Sequence, residues 1–222
     1  MSPTNEEFIK QDIIDELTWD NSVDASNINV EVKGNTVELN GYVPNHSAKI
    51  AAENDVYNLS EITSVINNLK VRPAGTKEKG REDADVASNI INKFEWDNRI
   101  NAENIRIECS EGVITLRGEV DSFWERNIAE SIALFTTGVN NVINEIEVVP
   151  LRSAVDIDIK NDIRNAFRRS QFINEKSINV EVDRGIVNLS GTASNYLEKT
   201  RAYNIAVFTS GVQDVKDNIT IA

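Results

Sequence analysis

Residues Val37–Val43 read VELNGYV, and the pattern returns as ITLRGEV at Ile114–Val120 and as VNLSGTA at Val187–Ala193. In each copy β-branched and leucine residues alternate with polar residues, which is typical of a strand with one buried face. Each copy then carries a glycine directly before its last two residues: Gly41, Gly118 and Gly191. These glycines are 77 and then 73 residues apart. The regular recurrence indicates three copies of one structural unit.

The same offsets align the rest of each copy. A helix with apolar residues at spacing four comes first, followed by two strands joined through a glycine-containing turn. A second helix follows, with an alanine at one shared position (Ala52, Ala129 and Ala202). A third strand closes each unit, at Val65–Val71, Val142–Val148 and Val215–Ile221. The predicted order is therefore α-β-β-α-β.

The predicted fold class is α+β, with three tandem units. Each unit is expected to be a small three-stranded mixed sheet with two helices on one face, because the β-α-β part should cross over in the right-handed sense. The predicted domains are 1–73, 74–150 (a linker and the second unit) and 151–222. We interpret the glycine triplet as a bend that ends the second strand, not as a binding site.

This pattern resembles the BON domain, a bacterial module named for an osmotically inducible periplasmic protein and nodulation proteins. The first motif is carried by the three strand glycines, and the second by Gly138-Val139 and Gly211-Val212. Repeat 1 departs from the second motif, with Glu61-Ile62 in its place. The resemblance implies a non-enzymatic protein associated with osmotic or envelope stress. It also implies contact with phospholipid, a role in envelope integrity or, as in one cytoplasmic relative, potassium binding, and no cofactor. That relative carries an added LysM domain, and this sequence shows no such segment.

The composition limits the classes of partner. A net charge of −13 argues against a nucleic-acid-binding protein and against simple attraction to an anionic membrane. No apolar run approaches the roughly 20 residues that span a bilayer. The first twenty residues do not read as a signal peptide, which predicts a cytoplasmic protein, or a periplasmic one if a leader has been removed.

Few residues suggest chemistry. His46 is the sole histidine and is expected on an exposed loop, and Cys109 is expected to be a small buried hydrophobe. Asp20-Asn21 and Asp97-Asn98 suggest either a turn built by Asx side chains or a cation-binding loop, and the turn is favoured. No catalytic residue and no metal site is therefore predicted.

The charge is unevenly distributed. Residues 1–73 hold 12 acidic and 5 basic residues, residues 74–150 hold 15 and 8, and residues 151–222 hold 9 and 10. A basic stripe on the first helix of repeat 3 causes much of this difference: Lys160, Arg164 and Arg168, with Arg169 beside them. The stripe suggests contact with lipid phosphates, docking on an acidic repeat of the same or another chain, or a solvated helix face.

Aromatic residues are further candidates for contacts. Their ordinary interpretation is core or inter-repeat packing, and any that stay exposed become candidate partner anchors. The set is Trp19, Trp96, Phe123, Trp124 and Tyr196.

The leading functional interpretation is a non-enzymatic, stress-associated interaction module that binds phospholipid or protein partners. Two alternatives remain open. One is a cytoplasmic protein that responds to a cation or ligand, and the other is a scaffold that forms homo-oligomers through the basic helix of repeat 3.

Overall fold

A computed structural model describes residues 5–59, 62–72, 83–150 and 155–221. Repeat 1 consists of α1 (Asn5–Trp19), β1 (Ile28–Lys33), β2 (Thr36–Val43), α2 (His46–Asn58) and β3 (Ser64–Val71). Repeat 2 consists of α3 (Asp83–Trp96), β4 (Ile105–Ser110), β5 (Val113–Val120), α4 (Phe123–Leu134) and β6 (Asn141–Val148). Repeat 3 consists of α5 (Asp156–Arg169), β7 (Ile178–Asp183), β8 (Ile186–Ala193), α6 (Tyr196–Val207) and β9 (Asp214–Ile221). The predicted order is confirmed in all three repeats.

Each repeat has its own three-stranded sheet, with orders β1-β2-β3, β4-β5-β6 and β7-β8-β9. In repeats 1 and 3 the central strand pairs antiparallel with the strand before it and parallel with the strand after it. Val37 thus lies opposite Val32 on one side and Val65 on the other. The mixed sheet is the predicted one, and the third strands begin one residue earlier than predicted.

The predicted core residues are buried. Ile13, Ile90 and Ile163, from the first helix of each repeat, have no exposed surface. The shared alanines of the second helix are equally buried: Ala52, Ala129 and Ala202. Because alanine adds little bulk, these helices can lie close to the rest of the core.

The motif glycines bend the chain, but not where the sequence suggested. Gly41 lies inside β2, opposite Ile28 and Leu69, and the strand continues to Val43. Its φ is +131°, and Gly118 and Gly191 have φ of +137° and +115°. A Cβ atom at any of these positions would overlap a backbone carbonyl just before the first strand, at Asn27, Asn104 or Ser177. The prediction that the second strand ends at the glycine is therefore wrong, whereas the need for φ > 0 is confirmed.

An acidic residue at the start of each first helix holds the β-hairpin turn. Asp156 accepts hydrogen bonds from the backbone N–H groups of Arg184 and Gly185, both at 2.8 Å. Asp83 accepts equivalent bonds from Glu111 and Gly112, at 2.9 and 3.1 Å. The aligned residue of repeat 1, Glu6, accepts one from Gly34. These contacts link the start of each first helix to the hairpin turn of its own repeat.

The described residues divide into two compact units. The first comprises residues up to Asn89 together with Cys109–Ile114 and Ala133–Val142, and the second comprises Ile90–Glu108, Thr115–Ile132 and residues from Ile143 onward. Each unit therefore joins parts of two sequence repeats. The Glu61 departure and the predicted linker at the start of the 74–150 domain include positions outside the described residues.

Candidate binding groove

The helices α5 and α6 of repeat 3 leave an open groove between them. Ile159, Ile163 and Phe167 turn one face of α5 into the core, and the completely buried Ala202 and Ala206 do the same for α6. The sides of α5 and α6 next to these core-facing residues remain exposed to solvent. The groove between them has a volume of about 740 Å³.

The groove combines an apolar surface with two cations. Its apolar lining comes from Ala166, Leu197, Ile205 and Phe208. Leu197 and Phe208 are unusually open for large apolar side chains, with 53% and 64% of their surface exposed. Arg169 of α5 and Arg201 of α6 also line the groove, together with one acidic residue of α5, Asp162. Such a surface suits a ligand that has an apolar part and a negative charge.

One of these cations is held in place by an aromatic ring. The guanidinium carbon of Arg201 lies 4.3 Å from the centroid of the Phe172 ring, a stacking distance typical of a cation–π contact. Among the described residues, neither Arg201 nor Arg169 forms an ion pair with a carboxylate. Both guanidinium groups therefore keep their capacity to donate hydrogen bonds to an anion.

The predicted basic stripe is divided between different surfaces. Lys160 lines another depression, beside the acidic side chains Glu181 and Asp183. Arg168 forms an ion pair with Glu175 at 3.3 Å, and Arg164 is exposed. Arg169 alone joins the groove, because residues on a helix are about 100° apart and it lies one step beyond Arg168. Arg169 therefore lines a different surface from Lys160, and a binding role for the stripe stays a prediction.

The predicted aromatic residues also separate into two groups. Trp19 and Trp96 end α1 and α3 with 81% and 86% of their surface exposed, so they do not pack in a core. Phe123 is buried within the apolar cluster of repeat 3, and Trp124 packs against that cluster. The Trp124 ring lies 5.8 Å from that of Phe208. In the second unit, the start of α4 therefore forms an apolar contact with repeat 3.

Tyr196 is half-buried at the first position of α6. The other glycines named from the sequence, Gly138 and Gly211, have φ of +97° and +86° and precede the buried Val139 and Val212. Gly138 and Gly211 form the turn between the second helix and the third strand of their repeats. Their role in the described structure is to allow the positive φ that this turn uses.

His46 does not lie on an exposed loop. It is the first residue of α2, it is half-buried, and its Nε2 atom is 3.1 Å from the carbonyl oxygen of Asn140. Burial lowers the pKa of this imidazole, which favours the neutral ring. In the first unit, His46 therefore links repeat 1 to repeat 2 by a hydrogen bond, and the predicted loop position is wrong.

Cys109 is half-buried in β4 and donates a hydrogen bond from its Sγ atom to Asp83. Burial and the neighbouring carboxylate raise the pKa of the thiol to about 11, so it is protonated at neutral pH and unsuited to nucleophilic attack. The inert thiol agrees with the prediction, although the side chain is less buried than expected.

The Asp-Asn motifs form the predicted turns. Asp20 accepts a hydrogen bond from the backbone N–H of Ser22 at 2.7 Å, and Asp97 accepts one from Arg99 at 3.0 Å. Ser170 uses its hydroxyl oxygen in the same way toward Phe172. No group of three or more His, Cys, Asp or Glu side chains within residues 5–59, 62–72, 83–150 and 155–221 is arranged to hold a metal ion.

Sequence reasoning missed Leu197, Arg201 and the apolar groove, because they come together only when two helices separated by a hairpin are packed side by side.

Sequence reasoning also missed Asp55, which is 9% exposed and whose carboxyl group lies near that of Asp20. The alignment of the repeats could have identified Asp55 as unusual, because the other repeats have an apolar residue at this position, Ile132 and Ile205.

The model of the BON domain family matches this chain three times, over residues 5–73, 82–150 and 156–222. The chain belongs to the BON domain family. These matches lie within the predicted domains 1–73, 74–150 and 151–222. A BON-domain relative, osmotically-inducible protein Y of Escherichia coli (strain K12), is 29% identical over 128 residues, which cover 57% of this chain and 64% of that protein. The chain thus spans less than two thirds of that relative.

Two solved structures of CdsD, a structural protein of the type III secretion system of Chlamydia trachomatis, also resemble this BON-domain chain. The identities are 15% and 14%, with 96% and 95% of this chain and 91% and 95% of the other chain covered. The TM-scores are 0.27 and 0.26, so these structures do not inform function. In the described part of the chain, no helix has the length and apolar character needed to span a membrane.

Proposed function

We propose that this BON-domain protein is a non-catalytic, stress-associated binding protein whose α5–α6 groove takes an anionic phospholipid. The observation that carries the proposal is the pairing of an apolar lining with two cations that have no carboxylate partner among the described residues. Phosphate binds arginine by charge-assisted hydrogen bonds, and acyl carbons are favoured next to Leu197 and Phe208. The association with stress follows from the name of the osmotically inducible relative.

The net charge of the chain supports the binding of single lipid molecules over adsorption to a flat anionic membrane. The whole protein carries −13, whereas the groove is lined by two cations, Arg169 and Arg201, and by one acid, Asp162. A charged membrane would meet the repulsion of the other repeats, but one head group within the groove lies next to the two arginines. A chain without a leader would meet such lipids at the cytoplasmic face, and an exported chain would meet them in the periplasm.

Calorimetric titration with short-chain phosphatidylglycerol and phosphatidylcholine, below their micelle concentrations, tests the proposal. We expect phosphatidylglycerol to bind more tightly, and R169E and R201E each to weaken that binding about tenfold. R164E is the matched control, because it makes the same charge change on an exposed part of α5 away from the groove, and it should change affinity less than twofold. Equal losses in all three variants, or no binding by the wild type, would contradict the proposal.

A further inference from the structure

Three carboxylates meet where the helices of repeat 1 end and pack. Glu16 lies in the last turn of α1, Asp20 directly follows that helix, and Asp55 lies in α2. Burial raises the pKa of the Asp55 carboxyl group, which also lies close enough to Asp20 and Glu16 for their negative charges to raise that pKa further. Glu16 and Asp20 are half-buried, so they form the open side of this acidic cluster (Glu16, Asp20 and Asp55).

The buried member of the acidic cluster lacks a partner. Asp55 is only 9% exposed, and its Oδ2 atom is buried with no hydrogen-bond partner among the described residues. Within the same residues, no lysine or arginine forms an ion pair with any of the three carboxylates. Burying a carboxylate is costly unless a positive charge or a set of donors compensates it. The cluster is therefore short of one cation.

In repeat 2, two basic residues of the chain occupy positions equivalent to residues in or next to the acidic cluster. Lys93 stands where repeat 1 has Glu16, and Arg99 stands where it has Ser22. Arg99 binds the Asp97 carboxylate through its Nη2 atom at 2.6 Å, and Asp97 corresponds to Asp20. Repeat 2 thus neutralises a site that repeat 1 leaves anionic.

An exposed indole is adjacent to the acidic cluster in the sequence. Trp19 directly precedes Asp20 and has 81% of its surface exposed. A tryptophan face beside carboxylates is a favourable setting for a guanidinium or ammonium group, since the ring contributes a cation–π contact and the carboxylates accept hydrogen bonds. A membrane surface rich in anionic lipid would be repelled by the same three carboxylates.

We infer that the acidic cluster of repeat 1, together with Trp19, binds an arginine or lysine side chain from a basic segment of a partner protein. The cation takes the place that Arg99 fills in repeat 2, with Glu16 and Asp20 as its acceptors. Asp55 lies behind them and adds negative charge in a half-closed setting, where a charge acts more strongly than on an open surface. This site is formed by other residues than the groove of repeat 3.

Fluorescence anisotropy with a labelled peptide that alternates glycine and arginine tests this inference at physiological salt. We expect the wild type to bind, and E16K and D55I to weaken binding about tenfold. D55I introduces the residue that repeats 2 and 3 have at this position, so it should fold. D12K is the matched control for E16K, because Asp12 is an exposed acid on the same helix, and it should change affinity less than twofold.

The tryptophans provide a second comparison. W19A should weaken peptide binding several-fold, whereas W96A, at the equivalent exposed position of repeat 2, should not. Equal effects of E16K and D12K would indicate non-specific attraction and overturn the inference, as would unaltered binding by D55I. Sedimentation of the chain without peptide should give the monomer mass. A larger mass that falls with E16K would mean that a second copy, not a partner, supplies the cation.

Discussion

Gly41 lies against the backbone of Asn27 so closely that a Cβ atom on Gly41 would overlap the Asn27 carbonyl oxygen. The second strand of the repeat passes over the residue that precedes the first strand, and φ at Gly41 is +131°. Both conditions exclude a side chain. The same relationship joins Gly118 to Asn104 and Gly191 to Ser177, so it is a property of the repeat.

Replacing Gly41 with alanine should therefore destabilise repeat 1 by about 2–4 kcal/mol, through backbone strain and overpacking. Gly34 is the control, since it also has a positive φ but no atom within 4 Å of an added Cβ. G34A should cost only about 1 kcal/mol. Hydrogen exchange of the amides in β1–β3 measures the loss of stability in both variants. Equal losses would contradict the close approach of Gly41 to Asn27.

The carboxylate of Asp156 should stabilise repeat 3 by holding the hairpin turn. It accepts two backbone hydrogen bonds, so D156A should lower the free energy of unfolding by about 1–2 kcal/mol. D158A removes an exposed acid from the same helical turn and is the control. Urea denaturation of the two variants checks the prediction, which fails if they are equally stable.

The order of elements was predictable because strand and helix periods are local properties of the sequence. The three repeats made the prediction stronger, since Ala52, Ala129 and Ala202 identify one helix face three times. The position of Gly41 inside β2 was not predictable, because a glycine that ends a strand and one that avoids a carbonyl look the same in sequence. Only the backbone path over Asn27 distinguishes them.

The candidate groove was only partly predictable. Arg169 was recognised as part of a basic stripe, but its separation from Arg164 depends on which flank of α5 faces α6. Arg201 and Leu197 belong to a different helix, and no local pattern relates them to Arg169. Burial of Phe123 depends in the same way on packing between repeats, which local spacing does not determine.

Asp55 should make the stability of repeat 1 depend on pH. Burial and the charges of Asp20 and Glu16 raise its pKa from 3.8 to about 6. A carboxyl group with a raised folded-state pKa stabilises the fold in its protonated form, so its contribution is complete below pH about 4 and is lost as pH rises through about 6. At neutral pH the ionised group opposes folding.

Thermal melting of D55I across this range tests the dependence. The variant should melt a few degrees above the wild type at pH 7, and the difference should shrink toward pH 4. D12N, which alters an exposed acid of α1, should follow the wild-type curve at both ends of the range. A gain in D55I that is the same at pH 4 and pH 7 would indicate improved packing alone and contradict the assigned titration.

Phe123 should contribute to the stability of repeat 3 although it belongs to the sequence of repeat 2. Its side chain is 5% exposed and lies in the same cluster as Phe167 and Val207. F123A should cost about 3–5 kcal/mol and should increase hydrogen exchange in β7–β9. F135A, which removes a half-exposed ring of similar size, is the control and should cost less. Unchanged exchange in β7–β9 would contradict the contact.

The central claim, that the α5–α6 groove binds an anionic phospholipid, is tested most directly by NMR titration of the labelled protein with short-chain phosphatidylglycerol. We predict that the shifted amides lie in Asp162–Ser170 and Leu197–Ser210, and that the shifts saturate with one lipid per chain. R201E should remove them at the same lipid concentration. Shifts that are absent, or that spread evenly over the helices of all three repeats, would contradict the account.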